Sequence, residues 1–462
     1  MKHLKVPEIL SKMNAIFRSN GHEAYLVGGA VRDMIRGKQA ADWDIATDAS
    51  PAEVCAMFRR VVPTGISHGT VTVHFMKHEI ETTTYRTESA YSDGRHPDSV
   101  AFAASIEEDL SRRDFTMNAI AMSLENGEIV DPFGGQNDIK QKIIRAVGNA
   151  RERFLEDGLR PVRAIRFSSQ LGFSLEDSTF SAIMDADVRH VTERISLERF
   201  RDEFVKIIKS EKPSVGLKLL EKTGILGFFI PEFSKCRGCI QGDGRGFHDF
   251  DVADHLFYAC DGAPREKPLV RLAALFHDIA KPDVRRVEKL NDAEIFTFYD
   301  HENGGAEKTR NIMMRLKFSN AEIDTVCHLV KNHMFHYESS WSNAAVRRFL
   351  MRVGKENTED LFDVRLADVF GMHNAPVLAT SETVKNLNEL SDRIKAIEAE
   401  ECALSLKDLA VNGTDLIKMG VKPGKKLGWI LNELLESVVD EPEANTRERL
   451  LFIAQRLLER AQ

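Results

Sequence analysis

The chain is predicted to be an α+β protein, a small mixed sheet with helices followed by a long all-α portion. Short β-like runs alternate with helical patterns up to about residue 145, and from Ala150 onward apolar residues recur at three- and four-residue steps. At 462 residues the chain is also too long for one core, so about three domains are expected.

Taken in order, Ala24-Tyr-Leu-Val27, Thr70-Val-Thr-Val-His-Phe75 and Glu79-Ile-Glu-Thr-Thr-Thr-Tyr85 read as strands, rich in β-branched and aromatic residues. Gly28-Gly29 follows the first of them and precedes Ala30–Ile35, which reads as the start of a helix. Arg112-Arg113-Asp114 reads as a charge cluster at the start of a helix spanning Phe115 to Ser123. Glu128-Ile-Val130 is a last strand, closed by the turn Asp131-Pro-Phe-Gly-Gly135. Beyond it, Leu159, Val162, Ile165 and Leu171, then Phe200, Phe204, Ile207 and Ile208, mark amphipathic helices. Glycines between Gly238 and Gly246 place a boundary near 240, and a softer one is placed near 380. The expected segments are 1–145, 146–240, 241–380 and 381–462.

Composition narrows the function. No apolar run approaches the roughly 18 residues of a membrane span, and Met1-Lys-His-Leu-Lys-Val-Pro7 lacks a signal-peptide core, so a cytoplasmic protein without a membrane partner is expected. Six scattered cysteines make no disulfide framework, and Cys236-Arg-Gly-Cys239, lacking a second matched pair, reads as structural rather than as a zinc site. A net charge of −8 argues against indiscriminate nucleic-acid binding. RNA contact must then use local patches, such as Arg151, Arg153, Arg160, Arg163 and Arg166.

Asp42 and Asp44 share one face if they lie on a strand, and two adjacent carboxylates suit Mg2+ whose remaining ligands are substrate phosphates. Glu81 is a candidate third carboxylate, although Glu79 shares its face. The bare amides of Gly28 and Gly29, with the helix start behind them, can hold a triphosphate, and Arg32 can pair with phosphate oxygens. No Walker sequence is present. Asp157 and Arg160, three residues apart, would meet if both lay on one helix, with Pro161 in its first turn. Arg163 and Arg166 continue at three-residue steps toward phosphate or primer.

Leu26-Val-Gly-Gly-Ala-Val-Arg-Asp33, Asp42-Trp-Asp44, Arg112-Arg113-Asp114-Phe-Thr-Met-Asn118 and Glu156-Asp157-Gly-Leu-Arg160, in this order and spacing, resemble the class II CCA-adding enzymes of the tRNA nucleotidyltransferase/poly(A) polymerase family. The resemblance implies a polymerase-β-like nucleotidyltransferase head over 1–145 and a helical neck and body over 146–240 that carries a base-reading helix. It makes Asp42 and Asp44 the catalytic, metal-holding carboxylates. Arg113 and Asp114 become ribose and phosphate contacts, and Asp157 and Arg160 hydrogen-bond the base edge of CTP or ATP. Asp offers only acceptors and Arg only donors, so together they match the mixed edges of cytosine and adenine. Pro63–Thr72 resembles the CCA-adding version of its segment more than the poly(A) polymerase version. Tyr91-Ser-Asp93-Gly94-Arg95-His-Pro97 resembles the flexible loop linked to the switch from C to A addition.

His255, His277-Asp278 and Asp368 resemble the HD phosphohydrolase pattern over 241–380, with His301 and His333 as further candidates. Imidazole with carboxylate suits a transition metal such as Ni2+, Mn2+ or iron. The segment 381–462 is expected to be a helical tail. The expected function is template-independent addition of CMP, CMP and AMP from CTP and ATP to the acceptor end of tRNA, with Mg2+ in the head. An A-adding enzyme or poly(A) polymerase is the alternative, and an HD phosphohydrolase with an RNA-binding head is the alternative of another class.

Overall fold

The computed structural model describes residues 3–40, 42–65, 69–89, 99–242, 248–290, 293–399 and 405–460. The chain forms two compact units, Met1–Pro231 and Glu232–Gln462.

The first unit begins with α1 (Glu8–Ser19), β1 (Ala24–Val27), α2 (Gly29–Ile35), β2 (Asp44–Thr47), α3 (Pro51–Met57), β3 (Val61–Gly65), β4 (Thr70–Phe75) and β5 (His78–Thr84). A two-stranded ribbon follows, β6 (Arg86–Ser89) with β7 (Ser99–Phe102), then α4 (Ile106–Ser111), β8 (Ala121–Ser123), β9 (Ile129–Val130) and α5 (Gly135–Gln141). Seven strands form one mixed sheet in the order β3-β4-β5-β2-β1-β8-β9. Only β2 with β5 is parallel, and its register sets Asp44 opposite Glu81. Leu26, Ile45, Val71, Val73, Ile80 and Met122 are buried in this sheet. Each such side chain contributes about 1.5–3 kcal/mol relative to exposure, which fixes the register and with it the carboxylates.

The expected helix Phe115–Ser123 is not formed. Thr116–Asn118 makes one 3-10 turn, and Ala121–Ser123 instead pairs with β1, Leu26 opposite Met122. Ala119, Ile120, Ala121 and Met122 are all buried; pairing with β1 serves the backbone of Ala121 and Met122, the Gly28 amide donates to the Ile120 carbonyl, and the Ala119 amide donates to Thr116.

After β10 (Ile143–Ile144) come α6 (Ala150–Glu156), α7 (Arg160–Leu171), β11 (Ser174–Leu175, parallel to β10), α8 (Asp177–Met184), α9 (Ala186–Glu193) and α10 (Leu197–Ile208). Ser196 caps α10, whose Phe200, Phe204, Ile207 and Ile208 turn inward; Phe200 stacks on Phe229 with ring centroids 3.9 Å apart. That face fixes the direction in which Arg199 and Glu203 point.

The second unit is helical, and the 409–454 stretch gathers a core from Leu416, Ile430, Leu434, Val438 and Leu450. The expectation of a purely α remainder fails at one place besides β11. Arg286–Leu290 and Ala293–Thr297 pair as an antiparallel hairpin, where Val287, Ile295 and Phe296 lend β propensity to a run broken by charges. Among the described residues no helix is long and apolar enough to cross a membrane.

Candidate active site

A cleft of about 380 Å³ opens in the first unit. Gly28, Gly29 and Arg32 line it from the β1–α2 turn, Asp44 from β2, Arg112, Arg113, Asp114 and Asn118 from the segment after α4, and Asp157, Arg160, Arg163 and Arg199 from the helices. Gly28 holds φ +72°, a conformation that favours glycine, and a Cβ there would press on Arg113 Nη1 at 3.1 Å.

Asp42 lies just before β2 rather than on it, and Asp44 is the strand's first residue. Burial, then Glu81, pushes the Asp44 carboxyl above the usual range, with Asp42 adding to this and Arg113 opposing it. Three carboxylates therefore crowd one end of β2, and Glu81 rather than Glu79 faces Asp44, since Glu79 lies opposite His74.

The arginines are anchored by two buried acids, Asp109, which the motifs did not single out, and Asp114, which they did. Buried Asp109 accepts from Arg112 Nε at 3.0 Å and Nη2 at 2.8 Å, and from Arg113 Nη2 at 3.1 Å. Burial opposes it, yet these two cations hold the Asp109 carboxyl below its ordinary range. Asp114 accepts from Arg163 Nε and Nη2 at 2.9 and 2.6 Å, from Asn118 Nδ2 at 3.1 Å and from the Phe115 amide at 2.8 Å. Burial works against ionisation there too, but Arg163 and these hydrogen bonds bring the Asp114 carboxyl down to about 2. Arg32 donates to Asn118 Oδ1 at 2.8 Å and to Asp33.

Asp157 and Arg160 do not share a helix; the Arg160 amide donates to the Asp157 carbonyl at 3.0 Å, but their side chains take other partners. Asp157 ends α6, Arg160 begins α7, and Gly158 turns between them. A Cβ on Gly158 would sit 2.6 Å from the Val191 carbonyl oxygen, so the turn packs directly on α9. Arg199 donates to both oxygens of Asp157 at 3.0 and 2.8 Å, while Arg160 donates to Glu156 Oε2 at 2.5 Å and to the Arg153 carbonyl at 2.7 Å. Both side chains still line the cleft. Arg166, expected to reach phosphate or primer, does not line it: the side chain is buried against Glu203 and stacked on Phe167, its Cζ 3.6 Å from the ring centroid. Asp93, Gly94 and Arg95 lie outside the described residues, between the two strands of the β6–β7 ribbon.

The second unit brings together the other constellation. His255, His277, Asp278, His301, His333 and Asp368 are all buried. His255 Nε2 lies 3.3 Å from Asp278 Oδ2 and 3.4 Å from Asp368 Oδ1, and His277 Nε2 lies 3.2 and 3.5 Å from the same atoms. His255, His277 and Asp368 each present a ligand atom close enough to share an ion, and so do His277, Asp278 and His333. Burial opposes ionisation of Asp278, but His277 and Lys281 hold its carboxyl well below the usual carboxylate range.

Family models match three stretches: the poly A polymerase head domain over 24–145, the probable RNA and SrmB-binding site of polymerase A over 172–236, and the putative tRNA nucleotidyltransferase domain 2 over 291–454. A CCA-adding enzyme of Lactobacillus delbrueckii subsp. bulgaricus is 35% identical over 97% of this chain and 98% of its own length. The chain belongs to the CCA-adding enzymes. Another such enzyme, from Enterococcus faecalis, is 34% identical over 99% of this chain and 98% of its own. The crystal structure of the Bacillus stearothermophilus CCA-adding enzyme in complex with CTP superposes with a TM-score of 0.72 at 29% identity, covering 98% of each chain. In this CCA-adding enzyme, then, Asn118 and Arg199 in the cleft wall, and Asp109 and Glu156 behind it, were given no role from the sequence. Their sequence signal was weak, because each acts by holding another charged residue that lies distant in sequence or one helical turn away.

Proposed function

We propose that this CCA-adding enzyme transfers CMP, CMP and then AMP from CTP and ATP to the 3′-hydroxyl of tRNA without a nucleic-acid template, releasing pyrophosphate, in the cleft of the first unit. The observation that carries the assignment to this cleft is the parallel pairing of β2 with β5, which sets Asp44 beside Glu81 and beneath the Gly28-Gly29 turn. Three carboxylates gathered at one end of β2, with the Asp44 carboxyl pushed up first by burial and then by Glu81, fit divalent cations with oxygen ligands. Asp42 and Asp44 would hold Mg2+, with Glu81 as a third carboxylate. When bound, Mg2+ lowers the barrier to deprotonating the attacking hydroxyl and neutralises charge gathering on the α-phosphate.

The protein's own groups do the rest. The amides of Gly28 and Gly29, Arg32 and Arg113 bind the triphosphate; Arg113, fixed by Asp109, is pre-aimed, so little reorganisation accompanies binding. Asp114 and Arg163, locked to each other, position the sugar and phosphate. Asp157 and Arg160 meet the base edge, each held by a separate partner, so that acceptor and donor keep a fixed spacing. Extension of a tRNA transcript lacking its last three nucleotides tests the proposal: CTP alone should add two residues, CTP with ATP three. Long A tracts, or A addition only to a CC-ended tRNA, would point instead to a poly(A) polymerase or an A-adding enzyme.

A second reading rests on the buried cluster of the second unit. His255, His277, Asp278 and Asp368 fit a transition ion such as Ni2+ or Mn2+, because imidazole nitrogens and carboxylate oxygens converge there. Such an ion would supply Lewis acidity for phosphoester hydrolysis. Hydrolysis of a 2′,3′-cyclic phosphate at an RNA end, stimulated by Mn2+ and lost in His277→Ala, tests it; no turnover with any transition ion would reject it.

A further inference from the structure

We infer that Phe167 is a positioning residue of the nucleotide cleft, an aromatic post on α7 whose ring steadies the guanidinium of Arg32 over the Gly28-Gly29 turn and that of Arg163 against Asp114. This rests on the proposed function, which sets Arg32 on the triphosphate and Arg163 with Asp114 on sugar and phosphate. Three guanidinium groups surround the one ring. Arg166 Cζ lies 3.6 Å from its centroid, Arg32 Cζ 5.4 Å and Arg163 Cζ 5.6 Å. The ring is buried, lines the cleft and meets the ring of Phe115 edge-on, with centroids 5.8 Å apart. Cations so close repel one another, and each has its own acid: Asp33 for Arg32, Asp114 for Arg163 and Glu203 for Arg166. The aromatic face adds attraction of a different kind. Its negative quadrupole draws a guanidinium without accepting any N–H in the way a carboxylate does, so the ring holds the cation while leaving donors for phosphate oxygens.

Arg32 makes the contact that crosses between elements. It stands on α2, beside the sheet, while the ring stands on α7. A Cβ on Gly29 would lie 3.5 Å from Arg32 Nη2, which puts the guanidinium directly over the turn that is to hold the triphosphate. One helical turn later the pairing is repeated. Arg36, just past the end of α2, lies over the buried ring of Phe173, its Cζ 5.3 Å from the centroid. Two arginine–phenylalanine contacts therefore fasten α2 to the stretch that begins at Arg160. Asp157 and Arg160 themselves are held by Arg199 and Glu156, away from this ring. The ring accordingly governs how tightly a nucleotide is gripped and leaves the choice of base to other residues.

The experiment replaces Phe167 in the full chain by phenylalanines bearing one, two and three ring fluorines, which drain the negative face while barely changing the shape of the ring. Dissociation constants for CTP and for ATP with Mg2+ are measured, and the CTP/UTP ratio is read from tRNA extension. Both constants should rise step by step, to about tenfold with three fluorines, with the CTP/UTP ratio unchanged. Phe167→Tyr should bind like the parent and Phe167→Leu like the trifluoro chain; should the Leu variant fail to fold, the fluorinated series decides alone. Constants that stay level along the series would show that the ring only fills space, and would overturn the role. A CTP/UTP ratio that falls with the affinity would overturn it too, by placing the effect on the whole of α7. Failure of the unsubstituted chain to bind either nucleotide would instead overturn the proposed function, and the inference with it.

Discussion

Arg199 Nη2 donates to both carboxylate oxygens of Asp157, at 3.0 and 2.8 Å, and so joins α10 to the end of α6 at the cleft wall. Under the proposed function Arg199 is a positioning residue for the base edge. Arg199→Ala should loosen Asp157 and lower discrimination between CTP and UTP by about 10-fold, since the partly buried bonds are worth ~1.5–3 kcal/mol. Overall CTP turnover should fall less. Competition assays with mixed nucleotides check this, and Arg199→Lys should restore part of the discrimination; an unchanged CTP/UTP ratio would count against the role.

The Asp114 carboxyl, held at about 2 by Arg163 and hydrogen bonds against the penalty of burial, contributes to acid stability. Its folded pKa lies below the unfolded one, so the stabilisation is present above the unfolded pKa and lost as pH falls through the folded value. About 2 kcal/mol should disappear between roughly pH 4 and pH 2. Urea titrations at stepped pH should show a shallower acid loss in Asp114→Asn than in the parent; identical slopes would contradict the assignment.

The strand before Gly28-Gly29, those at β4 and β5, and the helical character after residue 150 were legible because buried faces impose period 2 or period 3.6 on the sequence. Ala119–Met122 was not, since a run buried on both sides shows no period and reads equally as helix or strand. The Asp157–Arg160 spacing misled for a related reason. Three-residue spacing implies contact only inside an unbroken helix, and Gly158, chosen for its approach to Val191, breaks it. Arg166 followed the same periodic logic, but Glu203 on α10 captures it, a partner set by tertiary packing alone.

Gly28→Ala should harm catalysis more than folding. At φ +72° and ψ −133° the residue lies in backbone space essentially open only to glycine, so a Cβ adds about 1–3 kcal/mol of strain and meets Arg113 Nη1 at 3.1 Å. Steady-state kinetics should show a fall in kcat/KM for both CTP and ATP, with a melting temperature only a few degrees lower. Full activity in Gly28→Ala would show that Arg113 need not close over the turn.

Phe200 is fully buried and stacks on Phe229, so Phe200→Ala should cost about 3–5 kcal/mol of stability. Denaturant unfolding measures this directly. A loss below about 1 kcal/mol would mean that α10 is not fixed by this face.

Under the proposed function, Asp44 serves the chemistry of every addition while Asp157 serves the choice of nucleotide. The measurement is extension of the same truncated tRNA by Asp44→Ala and Asp157→Ala, each supplied in turn with CTP, ATP, UTP and GTP. Asp44→Ala should lose at least about 10²–10³-fold in rate with every nucleotide. Asp157→Ala should still extend the tRNA but accept UTP or GTP alongside CTP and ATP. Equal loss of rate in both variants with selectivity intact, or an active Asp44→Ala, would contradict it.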